Sequence, residues 1–329
     1  MQTILGANGI IATELAKELN RKYTNQIRLV SRHPVKVHPT DILLHANLLD
    51  PAQTEKAIEG SEIVYLTAGL PNNWKIAAVQ WPVIMRNVID GCLKQQAKLV
   101  FFDNTYMYGT SEGILTEETP YLSTGRKGKV RGEITTMLTD AIQNTDLSAL
   151  ICRAPEFYGP RNTHSITNSL VFENIRKSKK LKVLLNDATL RTLIYTPDAA
   201  KAMALLGNTP DAYHQTWHLP CDNNRLTAKE FIQFTSEIYG EKLDYIVLKN
   251  WMIRLISLFN PDMKETIELL YRYKTDNIFD SSKFMRRYPD YRITTYQEGI
   301  AEIIEEIKQS KQLHNDRLNH HTDHTTRVL

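Results

Sequence analysis

The chain has 329 residues and a mass of 37.8 kDa, enough for one large α/β domain with an appended region or for two domains. Its 40 basic and 37 acidic residues leave a net charge of +3, which is too mild to demand a nucleic-acid partner. Apolar runs stay well short of the roughly 20 residues of a membrane span, no signal-peptide pattern opens the chain, and three scattered cysteines fit reduced thiols, so we expect a cytoplasmic protein without a membrane partner.

The first predicted element is a strand at residues 3–5, which passes through a glycine turn at 6–9 into a helix with one apolar face. In such a turn Gly6 allows a tight bend, and Gly9 allows a pyrophosphate to approach the amides and the positive dipole end of the helix. Ala12 stands where a third glycine usually lets helix and strand pack closely. Glycine turns are common, but the strand-to-helix context favours nucleotide binding over a plain turn.

The second predicted strand, residues 26–30, ends in Ser31 and Arg32. An acidic residue at this strand end would hold the ribose 2′-hydroxyl of NAD, whereas a hydroxyl and a cation suit the 2′-phosphate of NADP. The sequence therefore favours NADP, with NAD as the other possibility. A solvated arginine after a strand is the alternative interpretation.

Four more strands are predicted from short apolar runs, at residues 42–44, 63–67, 99–102 and 147–152. Asp50 and Pro51 indicate a helix start between two of them, and a long helix is predicted over residues 75–96 with Pro82 in its early turns. Regular alternation of strand and helix predicts a doubly wound parallel sheet with ligands outside the carboxyl ends of its strands.

The alternation breaks after Arg153, where the chain mixes helices with short strands at residues 181–185 and 191–195. Capping-box patterns occur at 227–230 and 295–298, and a last amphipathic helix is predicted around 300–307. We expect a nucleotide-binding domain at 1–155 completed by parts of 190–220, a substrate region at 156–310, and a flexible polar tail at 311–329. Four histidines in the tail are expected to be ordinary tail residues rather than a metal site: His314, His320, His321 and His324.

Taken together, several motifs resemble the extended short-chain dehydrogenase/reductases, the NAD(P)-dependent epimerase/dehydratase family. The motifs are G-A-N-G-I-I-A at 6–12, N-L-L-D at 47–50, T-A-G at 67–69, Y-G at 108–109, R-A-P-E-F-Y-G-P at 153–160, R-T-L-I-Y-T-P-D-A-A at 191–200 and D-S-S-K-F at 280–284. The resemblance covers nearly the whole chain. It implies a Rossmann sheet of about seven parallel strands and a smaller C-terminal mixed α/β domain that binds substrate.

The resemblance also implies specific site residues. Cofactor contacts fall on Gly6, Asn8, Gly9, Ile10, Ile11, Ser31, Arg32, Asn47, Leu48, Thr67, Ala68, Gly69, Lys129, Pro155 and Phe157. Substrate contacts fall on Arg191, which matches an arginine that reaches phosphates in sugar-nucleotide relatives, and on Tyr158. Most relatives have aspartate in place of Asn47, but an amide can still accept a hydrogen bond from the adenine amino group.

The match fails at the residues that transfer protons. The family uses a tyrosine four residues before a lysine, together with an upstream serine or threonine. In this sequence the lysine position falls on Lys129, the tyrosine position on Gly125 and the upstream hydroxyl position on Asn104. The chain therefore resembles an atypical subgroup that has lost both hydroxyls.

Tyr106 is the candidate replacement for the missing tyrosine. It lies two residues after Asn104, so in a continuing strand both side chains point toward the same cleft. Beside Lys129 and a cationic nicotinamide, its phenol is suited to general acid or base catalysis, while packing under the loop is the alternative. Asn104 can donate a hydrogen bond to a carbonyl but cannot transfer a proton.

Four cations begin the helix after Gly125: Arg126, Lys127, Lys129 and Arg131. The positive dipole end of a helix disfavours them, which leaves an anionic partner or a solvated basic face as explanations.

Two functions of different class are consistent with these observations. The first is an NADP-dependent oxidoreductase or epimerase that acts on a small carbonyl or hydroxyl compound, nucleotide-linked and phosphorylated ones included. The second is a catalytically silent regulator or scaffold that senses NADP(H), because the fold alone does not imply an activity. Either would be a monomer or a homodimer.

Overall fold

The computed structural model describes residues 1–109, 113–161 and 163–325, with side chains described as far as residue 313. The strands, numbered along this part of the chain, are β1 (Gln2–Leu5), β2 (Ile27–Ser31), β3 (Ile42–His45), β4 (Ile63–Leu66), β5 (Lys98–Asp103), β6 (Ile114–Leu115), β7 (Ala149–Arg153), β8 (Glu156–Tyr158), β9 (Leu181–Leu184), β10 (Leu190–Arg191), β11 (Leu193–Tyr195), β12 (Thr216–His218), β13 (Leu226–Thr227), β14 (Tyr245–Leu248) and β15 (Ile278–Phe279). The α-helices are α1 (Ile10–Lys22), α2 (Pro51–Ile58), α3 (Trp74–Gln95), α4 (Arg126–Asn144), α5 (Glu173–Arg176), α6 (Thr196–Gly207), α7 (Ala228–Tyr239), α8 (Asn250–Ser257), α9 (Pro261–Thr266), α10 (Ser282–Arg287) and α11 (Tyr296–Thr325).

Seven parallel strands form the central sheet, in the order β12-β7-β5-β4-β1-β2-β3. The first strand pairs with β2 on one side and β4 on the other, so the winding direction reverses at β1. At such a reversal the connections leave on opposite sides and open a crevice above the carboxyl ends of the strands. The sequence-based prediction of a doubly wound Rossmann sheet is confirmed.

Both faces of the sheet are covered by helices. One hydrophobic core joins the sheet to α1 and α6, and the other joins it to α2, α3 and α4. Because both faces are buried, the central strands are mostly apolar rather than alternating, and every residue of β1, β4 and β7 is buried. This pattern explains why short continuous apolar runs in the sequence marked the strands correctly.

The helix starts follow local capping chemistry. The side chain of Asp50 accepts a hydrogen bond from the amide of Gln53 and caps α2 ahead of Pro51. Thr227 and Glu230 form a complete capping box at α7. The helix α3 begins at an Asn73 cap and includes Pro82 within its length.

The C-terminal region builds a second, smaller layer from paired short strands. β8 lies parallel to β11, β9 lies parallel to β14, and β10 lies antiparallel to β13. Its own core is centred on aromatic and isoleucine side chains of β8, α7 and α11. The region is mixed α/β and rests over the carboxyl end of the sheet, where it closes one side of the crevice.

Some boundaries differ from those expected. The strand expected at 191–195 is two short strands, β10 and β11, because Thr192 turns its backbone amide to Asn277. The last helix runs to Thr325 and takes in most of the stretch assigned to a polar tail. The tail histidines lie outside the described side chains.

Within residues 1–109, 113–161 and 163–325, no helix combines the length and the apolar character that a membrane span requires. Among the side chains that the structure describes, which end at residue 313, there is no group of three or more histidine, cysteine, aspartate or glutamate residues that could hold a metal ion.

Candidate functional site

A cleft of about 720 Å³ lies at the carboxyl ends of β1, β2, β4 and β5, at the reversal point of the sheet. This volume is in the range of pockets that bind cofactors. Most residues that the sequence assigned to a cofactor line it: Gly6, Gly9, Ile10, Ile11, Ser31, Arg32, Asn47, Leu48, Thr67, Ala68, Gly69, Pro155 and Phe157. Residues from five separate stretches of chain therefore meet at one site.

The two glycines of the first turn have different physical roles. Gly6 has a φ of +88°, and a Cβ there would lie 2.3 Å from the Cα of Ala68. Gly9 has no such constraint, because a Cβ there would meet nothing closer than a carbonyl oxygen at 3.8 Å. Gly6 is thus required by the turn and its packing, whereas Gly9 keeps open the space in front of the α1 N-terminus, where an anion would bind.

Asn8 does not line the cleft, although the sequence assigned it to the cofactor. Its amide donates to the carbonyl of His33, and its side-chain oxygen accepts from the amide of Val35 at 3.0 Å. Asn8 therefore braces the loop after β2. Since that loop carries Ser31 and Arg32, Asn8 acts on the cofactor end of the cleft only through the position of the loop.

Lys129 is also outside the cleft, so the structure does not bring it to the other residues that the sequence assigned to the cofactor and to catalysis. It lies on the exposed face of α4, whereas Lys127 and Arg131 face inward. Residues four apart share a helix face, and a residue two positions away points to the opposite side. The cation of α4 that lines the cofactor cleft is Arg131.

The basic start of α4 is balanced by the protein's own acids. Glu268 accepts from the backbone amides of Arg126 and Lys127 at 3.1 and 2.9 Å, which caps the helix N-terminus. The ammonium of Lys127 lies 3.2 Å from a carboxylate oxygen of Glu265 and donates to Asn72 and to the Glu265 carbonyl at 2.7 Å each. For this helix end the anionic partner is internal, and Lys127 has no donor left for a ligand.

Asn104 and Tyr106 both line the cleft, at the point where β5 ends. The side-chain oxygen of Asn104 accepts from the backbone amide of Tyr106 at 2.9 Å, which fixes the turn at residues 106–108 and leaves the Asn104 amide group as a donor. The guanidinium of Arg272 lies 5.3 Å from the centre of the Tyr106 ring. The tyrosine is therefore flanked by a cation, although not by the lysine that the sequence suggested.

Arg131, on α4, also lines the cleft near the end of β5. Its guanidinium lies 3.5 Å from Asp103 and 4.3 Å from the centre of the Trp81 ring. Burial lowers the pKa of Arg131 from its ordinary value, and the neighbouring Asp103 carboxylate raises it in part. The side chain is held in a partly dry, aromatic setting that strengthens its interaction with an anion.

Arg191 and Tyr158 do not line the cleft, so neither is placed to contact a substrate there. Arg191 donates to Glu156 at 2.8 Å and stacks on Tyr273, with 7% of its surface exposed. Tyr158 is 1% exposed and packs in an aromatic cluster with Phe231 and others. Both residues are parts of the C-terminal core.

Arg272 and Glu156 are functional candidates that the sequence did not reveal. Arg272 lies in a 3₁₀ segment, Ile267–Tyr273, outside every motif noted in the sequence, yet it is 6% exposed and lines the cleft. Burial by itself would raise the pKa of Glu156, but Arg191 and Arg272 help to hold that pKa below its ordinary value. No local pattern distinguishes such an arginine, because only the packing of the C-terminal region brings it to the end of β5.

A second cavity of about 940 Å³ adjoins the cleft and shares Gly69, Asn104, Tyr106 and Arg131 with it. Its far wall comes from the C-terminal region, with Lys182, Leu248 and Asp262 among the lining residues. A nucleotide bound in the first space and a second small molecule in the other would therefore meet at Asn104 and Tyr106.

Comparison with known proteins gives a consistent result. The model of the NAD dependent epimerase/dehydratase family matches residues 3–218. Among solved structures, the UDP-glucuronic acid 4-epimerase of Bacillus cereus in complex with NAD has a TM-score of 0.76 at 13% identity, over 94% of this chain and 99% of that one. A search of curated proteins by sequence gave no match.

Two further structures have the same architecture. A putative epimerase from Burkholderia cenocepacia J2315 has a TM-score of 0.74 at 15% identity, over 94% of this chain and 98% of that one. The UDP-glucose 4-epimerase of Thermus thermophilus, in complex with NAD, has a TM-score of 0.72 at 16% identity, over 94% and 99% of the two chains. At this level of identity the likeness establishes the fold.

Proposed function

Since the chain belongs to the NAD dependent epimerase/dehydratase family, we propose that it is a nicotinamide-dependent oxidoreductase or epimerase acting on a small carbonyl or hydroxyl compound. The observation that carries the proposal is the continuity of the two cavities at Asn104, Tyr106 and Arg131. A site that only sensed a nucleotide would not need a second cavity of about 940 Å³ opening onto the reactive end of the first.

NADP is the cofactor that we propose, with NAD as the alternative. Arg32 is exposed at the cleft, and the hydroxyl of Ser31 accepts from the amide of His33 at 3.2 Å. His45 bonds the backbone carbonyl of Arg32 at 2.5 Å and fixes this turn. A cation and a hydroxyl without a carboxylate beside them suit a 2′-phosphate better than a free ribose.

The cofactor residues fit such a group, because Gly9 leaves the α1 N-terminus open and Pro155 and Phe157 line the far end of the cleft. A bound nicotinamide supplies a hydride acceptor or donor. The protein residues would orient the substrate and handle the proton. As the phenolate, Tyr106 would take the proton of a hydroxyl that is oxidised and become the phenol; as the phenol, it would give that proton to the oxygen of a carbonyl that is reduced. The Asn104 amide would donate a hydrogen bond to the same substrate oxygen.

We further propose that the site lacks the family's tyrosine and lysine pair. Arg131 is the cation of α4 that lines the cleft. One helical turn earlier is Lys127, whose ammonium is already paired with Glu265 and hydrogen-bonded to Asn72. Gly125 is at the helix cap beside Glu268. The acid or base must then come from another element, and Tyr106 is the tyrosine that lines the junction of the cavities.

The test is a screen for hydride transfer between NADPH and carbonyl compounds, followed by Tyr106→Phe on the best substrate. Loss of the phenol should keep NADPH affinity and lower kcat by about 100-fold, the usual worth of a general acid. As a control, Lys129→Ala should leave kcat within about twofold, because it is an exposed residue outside the cleft. A wild-type rate in Tyr106→Phe would rule out this role for Tyr106.

The alternative function is an NADP(H)-sensing regulator, and the replacement of both family hydroxyl positions by Gly125 and Asn104 favours it. Tight NADPH binding without hydride transfer to any compound of a broad carbonyl panel, and without epimerisation of any hydroxyl compound tested with NADP⁺, would support the regulator and contradict the enzyme.

A further inference from the structure

Two buried carboxylates at the site each serve two arginines. Asp103 is 1% exposed and lies within 3.5 Å of both Arg153 and Arg131. Glu156 pairs with Arg191, and Arg272 is close enough to help lower the pKa of Glu156, a shift that burial alone would oppose. In both groups one arginine lies outside the cleft and the other lines it.

In each group, the arginine outside the cleft takes part of the hydrogen-bond acceptor capacity of the carboxylate. Arg153 is fully buried and donates to the hydroxyls of Tyr108 and Tyr121 as well as to Asp103. One oxygen of Asp103 also accepts from Thr135 and the other from the backbone amide of Asn104. Little acceptor capacity remains for the cleft-facing arginine of this group, since a carboxylate has about four lone-pair sites.

The oxygens of Glu156 are occupied as well. One accepts from the amide and hydroxyl of Thr167 at 3.1 and 2.6 Å, and the other from Arg191 and from Tyr273 at 2.8 Å each. Arg272 must therefore find other partners, and its guanidinium donates to the hydroxyl of Thr105 at 3.0 Å. Within the described part of the chain, no carboxylate lies at salt-bridge distance from it.

Arg131 is likewise left with unused donors. The nitrogen of Arg131 nearest to Asp103 is 3.5 Å away in a geometry that makes no hydrogen bond, and it has no other partner among the described residues. A buried guanidinium donor without an acceptor is costly, because desolvation is not repaid. Around Tyr106 the site thus presents donors from Arg131, Arg272 and the Asn104 amide, and an excess of positive charge.

We propose that this surface binds an anionic oxygen group of the substrate, namely a carboxylate on a carbon close to the hydroxyl or carbonyl that reacts. A planar guanidinium matches a carboxylate through two parallel hydrogen bonds, and Arg131 and Arg272 are guanidinium side chains that line the cleft. A phosphate monoester presents the same charge and acceptors, and the experiment separates the two. The statement that a hydroxyl or carbonyl reacts next to the anion rests on the proposed function. Anion binding itself can be measured without turnover.

The experiment is calorimetric titration of the protein, with and without NADPH, with malonate, inorganic phosphate and neutral malonamide at constant ionic strength. We expect malonate to bind and malonamide not to bind. Arg131→Gln and Arg272→Gln should each weaken malonate by about tenfold or more, the worth of a charge-assisted hydrogen bond. The matched control is Arg86→Gln, an exposed arginine of α3 outside both cavities, which should leave the affinity unchanged.

The outcomes are distinct. Phosphate binding more tightly than malonate would keep the anion site and assign a phosphoryl group to it. Equal binding of malonamide, or unchanged malonate affinity in both glutamine variants, would overturn the proposal. If a glutamine variant fails to fold, Arg272→Lys, which keeps the charge, takes its place. Thermal unfolding of the wild-type protein then tests the anion site, because malonate but not malonamide should raise the unfolding temperature. Malonate binding in a protein that shows no hydride transfer would contradict the proposed function and leave the anion site standing.

Discussion

The two ends of the cleft are built in different ways. Part of the nucleotide end comes from the backbone and side chains of the first 32 residues: the turn at Gly6 and Gly9, the start of α1, and the loop at Ser31 and Arg32 that Asn8 braces. At the reacting end, charged side chains from widely separated stretches converge, with Arg272 more than a hundred residues from Tyr106. The first end depends on local geometry and the second on tertiary packing.

Because the two ends are built differently, they place different demands on the protein. A nucleotide is held by helix amides and open space, which need little more than glycine at the correct positions. The reacting end must keep several buried charges near one another, and it does so only because Asp103 and Glu156 neutralise part of the positive charge. Changes at the first end should therefore alter ligand affinity, and changes at the second should alter stability as well.

The largest expected effect is that of Glu156→Gln on folding. Loss of this buried carboxylate leaves Arg191 and Arg272 without their nearest negative charge and should lower the free energy of unfolding by about 3–5 kcal/mol at neutral pH. The carboxylate has a lowered pKa in the folded protein, because Arg191 and its hydrogen bonds outweigh the burial that would raise it. Its contribution is therefore complete above the ordinary glutamate pKa of about 4.3 and is lost as pH falls through the lowered folded value.

Urea unfolding of wild type and Glu156→Gln from pH 7 to pH 3 measures this effect. The difference between the two proteins should shrink as the pH falls below about 4.3, because the unfolded wild-type chain then binds a proton at Glu156 that the folded protein, with its lowered pKa, does not yet bind. A difference that stays constant over this range would mean that Glu156 stabilises the fold through shape rather than charge, and the contrast between the two ends would then be wrong.

Next in size is the effect of Gly9→Val on the cofactor. A branched side chain would fill the open space in front of α1 and should weaken NADPH binding by about 100-fold or more, because the pyrophosphate could no longer reach the helix amides. The thermal unfolding temperature should change little. Gly6→Val is the matched comparison and should instead lower that temperature, since its Cβ would lie 2.3 Å from Ala68. Unchanged NADPH affinity in Gly9→Val would show that the turn does not bind a nucleotide.

The smallest expected effect is that of Arg32→Ala on cofactor preference. One exposed cation at the strand end should account for about tenfold of the affinity for NADPH, the worth of one charge-assisted contact, and for none of the affinity for NADH. Titration of both cofactors into wild type and variant measures the ratio. A wild-type preference for NADH, or a ratio that Arg32→Ala does not change, would contradict NADP as the cofactor.

Most residues at the nucleotide end of the cleft could be predicted from the sequence, but few of those at the reacting end could. The strands, the glycine turn and the residues at the strand ends were predictable because each depends on neighbours within a few positions. Lys129, which the sequence assigned to the cleft, lies on the exposed face of α4, because residues two positions apart on a helix point to opposite sides and it is Lys127 and Arg131 that face inward. Arg191 and Tyr158 were misplaced since a motif match does not tell which partner a side chain will find.

The sequence by itself determined the doubly wound sheet and the position of its nucleotide crevice, because periodic apolar runs and glycine turns act through local backbone preferences. Only the tertiary structure decided which charges line the cleft. Arg131 and Arg272 line it whereas Arg153 and Arg191 do not, and no local sequence pattern separates the first pair from the second. Their difference arises from packing between distant segments, where, in the part of the chain that the structure describes, Asp103 and Glu156 accept hydrogen bonds from Arg153 and Arg191 but none from Arg131 or Arg272.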